Sequence, residues 1–284
     1  MSMQALEIAL STDDGHQFTL LARIPAQAHS SVLWLPALGV AAKHYLPLAE
    51  TLAVNGVAVF LHEMRGNGSS NLRASREMDW GYREILATDV ACSEAAISAH
   101  SSAATRIIGG HSIGAQFAAC YLAMHPEAFQ KLWLVASGSP YWRNFPAPKR
   151  YVFPFAYQFV PWIADVRGSL PGRRLGFGGD EARTLMRDWA RVGLSNRYAA
   201  AGMDTDLEAA LAQVSVETRA VLMSHDWFAP RRSMQGLLDK LPRSPSSITT
   251  LDRAALGVPA DHFAWMKQPQ GVVDALLGRD RRQS

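Results

Sequence analysis

Apolar and polar positions alternate in two runs near the start of the chain, Ala5–Leu10 and Gln17–Pro25, separated by Asp13-Asp14-Gly15. Period-two alternation on either side of an Asp-Gly turn predicts a β-hairpin. The pattern then changes. Ser31–Leu38 (SVLWLPAL) is short and continuously apolar, as expected of a strand covered on both faces. Tyr45–Val54 has helical spacing and stops at Asn55-Gly56. The two patterns then take turns: strand Val57–His62, helix Asp79–His100, strand Thr105–Gly110, helix Ala115–His125, strand Lys131–Ser137. They resume later with strand Arg219–Ser224, helix Arg231–Leu241, strand Ser247–Leu251 and helix Trp265–Leu277. This alternation predicts an α/β fold, a mostly parallel central sheet with helices on both faces.

Between Tyr141 and Gln213 the alternation lapses. That stretch holds twelve aromatic side chains, and its ten Lys and Arg exceed its seven Asp and Glu. A linker would be polar and poor in aromatics. The expectation is therefore a core formed by residues 1–140 and 214–284, with 141–213 as an inserted cap, or lid, subdomain. Tyr141 and Trp142 come directly off the preceding strand, so they are the candidates in this stretch to face a substrate.

Composition narrows the class of function. Of the 284 residues, 48% are hydrophobic and 19% charged, which excludes a disordered chain. The formal net charge is only +3 and no basic block occurs, so nucleic acid is not an expected partner. Cys92 and Cys120, the two cysteines, exclude a disulfide scaffold and a cysteine metal cluster, and both are expected to be buried packing residues. The longest apolar stretch, Tyr151 to Ala164, is interrupted by Pro154 and Pro161 and is too short to span a bilayer. The first ten residues, MSMQALEIAL, lack a basic n-region and an apolar h-region, so the expected location is cytoplasmic.

The chemistry centres on Gly110-His111-Ser112-Ile113-Gly114, a G-x-S-x-G between a predicted strand and a predicted helix. On such a turn a serine hydroxyl projects from the carboxyl end of the sheet beside a helix N-terminus, where developing negative charge is stabilised. A nucleophilic serine needs a base, and the base an orienting acid, in the order Ser, Asp/Glu, His on this kind of sheet. Asp226 follows the strand Arg219–Ser224, and His262 follows the next strand. Asp261 is the chief rival for the acid, although adjacency to His262 gives it poor geometry. His111 and His225 neighbour the nucleophile and the acid, and the other histidines do not suit the order. Two backbone N–H donors would complete an oxyanion hole: Ile113, just after the serine, and Leu38, in the Pro36–Val40 turn. The histidines show no metal-ligand spacing, and Gly176-Phe177-Gly178-Gly179 follows no predicted strand. No metal or organic cofactor is called for.

With LPALGV (Leu35–Val40), RGNGSS (Arg65–Ser70), GGHSIGAQ (Gly109–Gln116), SGSPYWR (Ser137–Arg143), PGRRLGFG (Pro171–Gly178), RDWAR (Arg187–Arg191), DWFAP (Asp226–Pro230) and DHF (Asp261–Phe263), the chain resembles the α/β-hydrolase superfamily over essentially its whole length. More closely it is similar to a bacterial group of serine hydrolases described as serine-aminopeptidase-like. The resemblance implies a Ser112–His262–Asp226 triad. Two positions depart from the group's pattern: His225 stands where a second acidic residue is common, and Asp261 where glycine often precedes the histidine.

The first functional reading is hydrolysis of a carboxylic ester or thioester through an acyl-enzyme, on a small molecule with an apolar or aromatic acyl group. An acyltransferase or a peptidase on the same triad is the alternative; an aminopeptidase would need cap carboxylates such as Asp180, Glu181 or Asp188 to hold an α-ammonium. A non-catalytic protein that binds a small ligand is the third reading.

Overall fold

The computed structural model describes residues 2–279. The predicted hairpin is β1 (Met3–Ser11) and β2 (Gln17–Pro25), antiparallel from Met3 opposite Pro25 to Ser11 opposite Gln17. Its turn closes with the Thr12 N–H donating to the His16 carbonyl, 2.9 Å, and Gly15 takes φ +83°. The alternation follows: β3 (Ser30–Leu35), α1 (Leu46–Val54), β4 (Val57–Leu61), α2 (Ala91–His100), β5 (Thr105–His111), α3 (Ile113–Met124) and β6 (Lys131–Val135). The stretch between β6 and the next long strand is mainly helical. It contains α4 (Lys149–Arg167), a small antiparallel pair β7 (Leu170–Pro171) and β8 (Asp180–Glu181) around α5 (Gly172–Leu175), then α6 (Arg183–Ser195) and α7 (Leu207–Leu211). The chain ends with β9 (Glu217–Met223), α8 (Arg231–Leu238), β10 (Ser246–Leu251), α9 (Arg253–Leu256) and α10 (Gln270–Leu277).

The eight long strands form one sheet in the order β1-β2-β4-β3-β5-β6-β9-β10, and only β2 runs against the rest. All six residues of β3 are buried, and their alternation divides the core. Leu33 and Leu35 face a cluster with α3 and with residues of α4 and α6, whereas Val32 and Trp34 face one with α1 and α10. Ala164, Leu185 and Met186 thus share a hydrophobic core with the sheet rather than forming one of their own.

Four local expectations change. The helix expected over Asp79–His100 begins at Tyr82 and passes through a π-helical stretch, Glu84–Val90. Its first turn is captured from outside: Asp79 accepts from the Thr184 N–H (3.0 Å) and Oγ1 (2.8 Å), and the Tyr82 N–H donates to Asp188 (3.1 Å). Pro269 divides Trp265–Leu277 into a 3-10 turn, Ala264–Lys267, and α10. The interrupted apolar stretch is part of one helix, α4, which runs through both Pro154 and Pro161. Cys120 is buried, but Cys92 is only half-buried, against the Ser11 carbonyl at the end of β1.

Candidate active site

Ser112 occupies the turn between β5 and α3 with φ 56° and ψ −125°, a left-handed conformation in a residue that is not glycine. Such a conformation costs roughly 1–3 kcal/mol and persists only where its surroundings impose it. Here the Ser112 N–H donates to the Val135 carbonyl of β6 (3.0 Å), and Ser137 Oγ donates to the Ser112 carbonyl (2.6 Å). The flanking glycines are required by contact. A Cβ on Gly110 would lie 2.5 Å from the Gly114 carbonyl carbon, and one on Gly114 would lie 2.2 Å from the Leu35 carbonyl oxygen.

The structure brings together Ser112 from the end of β5, Asp226 from just after β9, and His262 from the loop that follows α9. The Ser112 hydroxyl donates to His262 Nε2 at 3.0 Å, and His262 Nδ1–H donates to Asp226 Oδ2 at 2.7 Å. The other Asp226 oxygen accepts from the N–H groups of Phe228 (2.8 Å) and Ala229 (3.2 Å), so the turn into α8 fixes the carboxylate. Trp265 Nε1–H donates to the His262 carbonyl (3.0 Å). His262 and Asp226 are buried and Ser112 is half-buried. Such an arrangement can move the serine proton onto an imidazole whose tautomer is held by a carboxylate.

The rivals have other partners. Asp261 is exposed and accepts from the N–H groups of Phe263 and Ala264. His225 is exposed as well. His111 lies beneath His262, with ring centroids 4.8 Å apart. The Ala37 N–H donates to the Tyr45 hydroxyl (2.9 Å), which donates in turn to His111 Nδ1 (2.8 Å). Burial, and then the neighbouring His262, hold the His111 pKa well below that of a free histidine, so His111 carries no positive charge against the His262 ring.

Ser112 opens into an apolar cavity of about 240 Å³, which Leu38 and Ile113 also line. Among the described residues, neither the Leu38 nor the Ile113 N–H donates to another group of the chain. For Ile113 this is the ordinary state of a first-turn helical N–H. Tyr141 and Trp142, the substrate-facing candidates, do not line this cavity. The chain leaves β6 through Gly138-Ser139-Pro140 and turns away, so that Tyr141 and Trp142 lie against each other and Arg143 lies over Trp142. The lining comes instead from deeper in the stretch: Phe145, Phe153 and Tyr157, then Phe177 and Trp189. A helix period of 3.6 brings Phe153, Ala156, Tyr157 and Val160 of α4 onto one face, a signal the sequence does carry.

Gly176–Gly179 also has a structural task. A Cβ on Gly39 would lie 2.2 Å from the Gly179 nitrogen, so this loop is pressed onto the Leu38-Gly39 turn. Behind the contact the Gly179 N–H donates to Glu181 Oε1 (2.7 Å), and burial pushes the Glu181 pKa up to about 7. Asp188 is held by the N–H groups of Tyr82 and Ala201 and by Arg191. None of Asp180, Glu181 and Asp188 lines the cavity. No group of three or more His, Cys, Asp or Glu side chains among the described residues could hold a metal ion.

A second Ser–His–Asp arrangement lies elsewhere. His16 Nδ1–H donates to Asp89 (3.0 Å), and His16 Nε2 is 2.9 Å from Ser70 Oγ. All three are buried, and Arg65 donates twice to Asp89, at 2.6 and 2.8 Å.

The family model described as serine aminopeptidase, S33, matches residues 26–254. The chain belongs to that family. No curated protein matches this α/β hydrolase in sequence. A hydrolase from Pseudomonas aeruginosa PA01 superposes with TM-score 0.65 at 16% identity, covering 96% of this chain and 97% of that one. A thioesterase domain from the curacin biosynthetic pathway gives TM-score 0.60 at 16% identity, over 97% and 99%. A membrane phospholipase A, described as a bacterial virulence factor, gives 0.62 at 17%, over 97% and 85%. At these identities the likeness establishes the fold, and the family establishes a serine hydrolase acting on small molecules. No helix among the described residues is long and apolar enough to cross a membrane.

Proposed function

We propose that this hydrolase cleaves a carboxylic ester or thioester through an acyl-enzyme formed on Ser112. The observation that carries the reading is the Ser112–His262–Asp226 chain of hydrogen bonds, 3.0 and 2.7 Å, at the wall of an apolar cavity. His262 accepts the Ser112 proton as Oγ attacks the carbonyl carbon, and the Leu38 and Ile113 N–H groups hold the oxyanion. Collapse of the tetrahedral intermediate breaks the bond to the leaving oxygen or sulfur, which takes the proton from His262. Water repeats the cycle and frees the acid.

Residues 141–213 act as the lid and supply most of the aromatic wall, which Trp227 and Phe228 complete. At about 240 Å³ the cavity is somewhat smaller than the usual small-molecule site of roughly 300–1,000 Å³, which suits an acyl group of small to medium size. The family's aminopeptidase description calls for a carboxylate facing an α-ammonium, and the apolar lining favours an acyl chain instead.

The test has two parts. A fluorophosphonate should label the protein at Ser112. A panel of p-nitrophenyl esters, acyl thioesters and aminoacyl amides should then give its highest kcat/KM on the esters or thioesters. Preference for aminoacyl amides would overturn the substrate class; absence of labelling would overturn the mechanism and leave a non-catalytic binding protein.

A further inference from the structure

Helix α4 is apolar on two opposite faces. Phe153, Ala156, Tyr157 and Val160 line the cavity. Tyr151, Val152, Phe155, Phe159, Trp162 and Val166 point outward, each more than half exposed, and Phe155 is 73% exposed. From Val152 onward the spacing is 3-4-3-4, one continuous stripe. It offers on the order of 700 Å² of apolar surface, against roughly 300–600 Å² for the largest patch of an ordinary monomer.

Charge decides what covers it. Lys149 Nζ is held over the Trp227 ring, 4.0 Å from its centroid, but Arg150 stands at the start of α4 and Arg167 at its end, with Arg174 just beyond; among the described residues none of these three arginines pairs with a carboxylate. Asp165, the one acid of the helix, pairs with Arg187 at 2.6 Å. A second copy laid antiparallel on the stripe would set Arg150 beside its partner's Arg167. A parallel arrangement would set each cation against its own copy. Both are repulsive, whereas an anionic layer satisfies both ends while the aromatics enter its apolar margin.

We propose that the outer face of α4 docks this protein on an anionic lipid surface, with the helix lying in the plane of the interface. The wall of the acyl cavity is then the reverse side of the lipid-bound helix, so an acyl substrate dissolved in the lipid reaches Ser112 by a short route. The route rests on the hydrolase reading; the docking does not.

The experiment is flotation of the full-length protein with vesicles of phosphatidylcholine alone or mixed with phosphatidylglycerol. The Ser112→Ala form is used so that no lipid is consumed. The expected result is binding to the mixed vesicles that weakens with salt. F155S/F159S should reduce the partition roughly tenfold or more at an unchanged melting temperature, because both side chains are exposed. R167Q/R174Q should reduce binding to the mixed vesicles only. No binding, or equal binding by F155S/F159S, would overturn the proposal. So would a concentration-dependent dimer in sedimentation velocity that F155S/F159S abolishes, which would assign the face to a second copy. Vesicle binding by the Ser112→Ala form, with no fluorophosphonate labelling of the unsubstituted protein, would remove the catalytic reading and leave the docking face. Labelling without vesicle binding would do the reverse.

Discussion

Replacing Glu181 with glutamine should stabilise the protein increasingly as pH rises from about 4.5 to 7, fully above neutrality, and hardly at all below pH 4.5. The side chain is buried behind the contact between the Gly176–Gly179 loop and the Leu38-Gly39 turn. Burial is the largest influence on its pKa, and nearby Asp180 adds to it; the Gly179 N–H and Arg173 oppose. The outcome is a rise from 4.5 to about 7. A raised carboxyl binds its proton more tightly folded than unfolded, so the stability it contributes is whole below pH 4.5 and is lost as pH climbs through about 7. At about 1.4 kcal/mol per pH unit, the loss above pH 7 amounts to roughly 3 kcal/mol. The amide of the variant would keep an oxygen for the Gly179 N–H and carry no charge to lose. Thermal melts of both proteins from pH 4.5 to 8.5 should coincide at the acid end, diverge between about pH 5 and 7, and stay a constant distance apart above that, the variant melting several degrees higher. Parallel curves at every pH, or a variant that is less stable above pH 8, would refute the argument.

The remaining predictions concern chemistry and cavity. Ser112→Ala should lower kcat on a short ester by about 10⁴-fold or more without changing the melting temperature. Asp226→Asn should lower it roughly 10³–10⁴-fold. Asp261→Asn, which touches only the turn at Phe263 and Ala264, should stay within a few-fold; the opposite ranking would move the acid to Asp261. Phe153→Ala should shift the preferred acyl length upward in a kinetic series, while Trp142→Ala leaves it unchanged, because only the former lines the cavity. Gly39→Ala would put a Cβ 2.2 Å from the Gly179 nitrogen at φ +71°, so it should displace the loop and lower both kcat and melting temperature.

Ser112 and Asp226 are legible because each sits where a strand ends, and strand ends are written in local alternation; His262 is legible from its place in the order after the last strand, although α9 lies between them. The sheet is readable for the same reason: Ser31–Leu38 and Thr105–Gly110 carry their burial in their own composition. The cavity wall is not. Which of twelve aromatics faces Ser112 depends on the direction in which the chain leaves β6, and Gly138-Ser139-Pro140 turns Tyr141 and Trp142 aside before α4 begins. The start of the helix at Tyr82 is equally hidden, since Asp188 and Thr184, about a hundred residues away, take its first turn. Gly176–Gly179 reads as a glycine-rich run after no strand, whereas its glycines answer to a contact with Gly39 that no local pattern records.

The RGNGSS segment contributes Ser70 to a trio like that of Ser112, His262 and Asp226, in quite different surroundings. Ser70, His16 and Asp89 reproduce the hydrogen bonding of Ser112, His262 and Asp226, but all three are buried and none lines the cavity into which Ser112 opens. Asp89 is also claimed twice by Arg65, so its charge already has a permanent counterion. An imidazolium formed on His16 would face that guanidinium rather than a free carboxylate. The same three side chains therefore serve as a rivet, fastening the hairpin turn to the π-helical stretch through a loop between them. Selection on these residues would act through folding yield, and a change at Ser70 should be felt in how much protein survives synthesis rather than in how fast it turns over substrate.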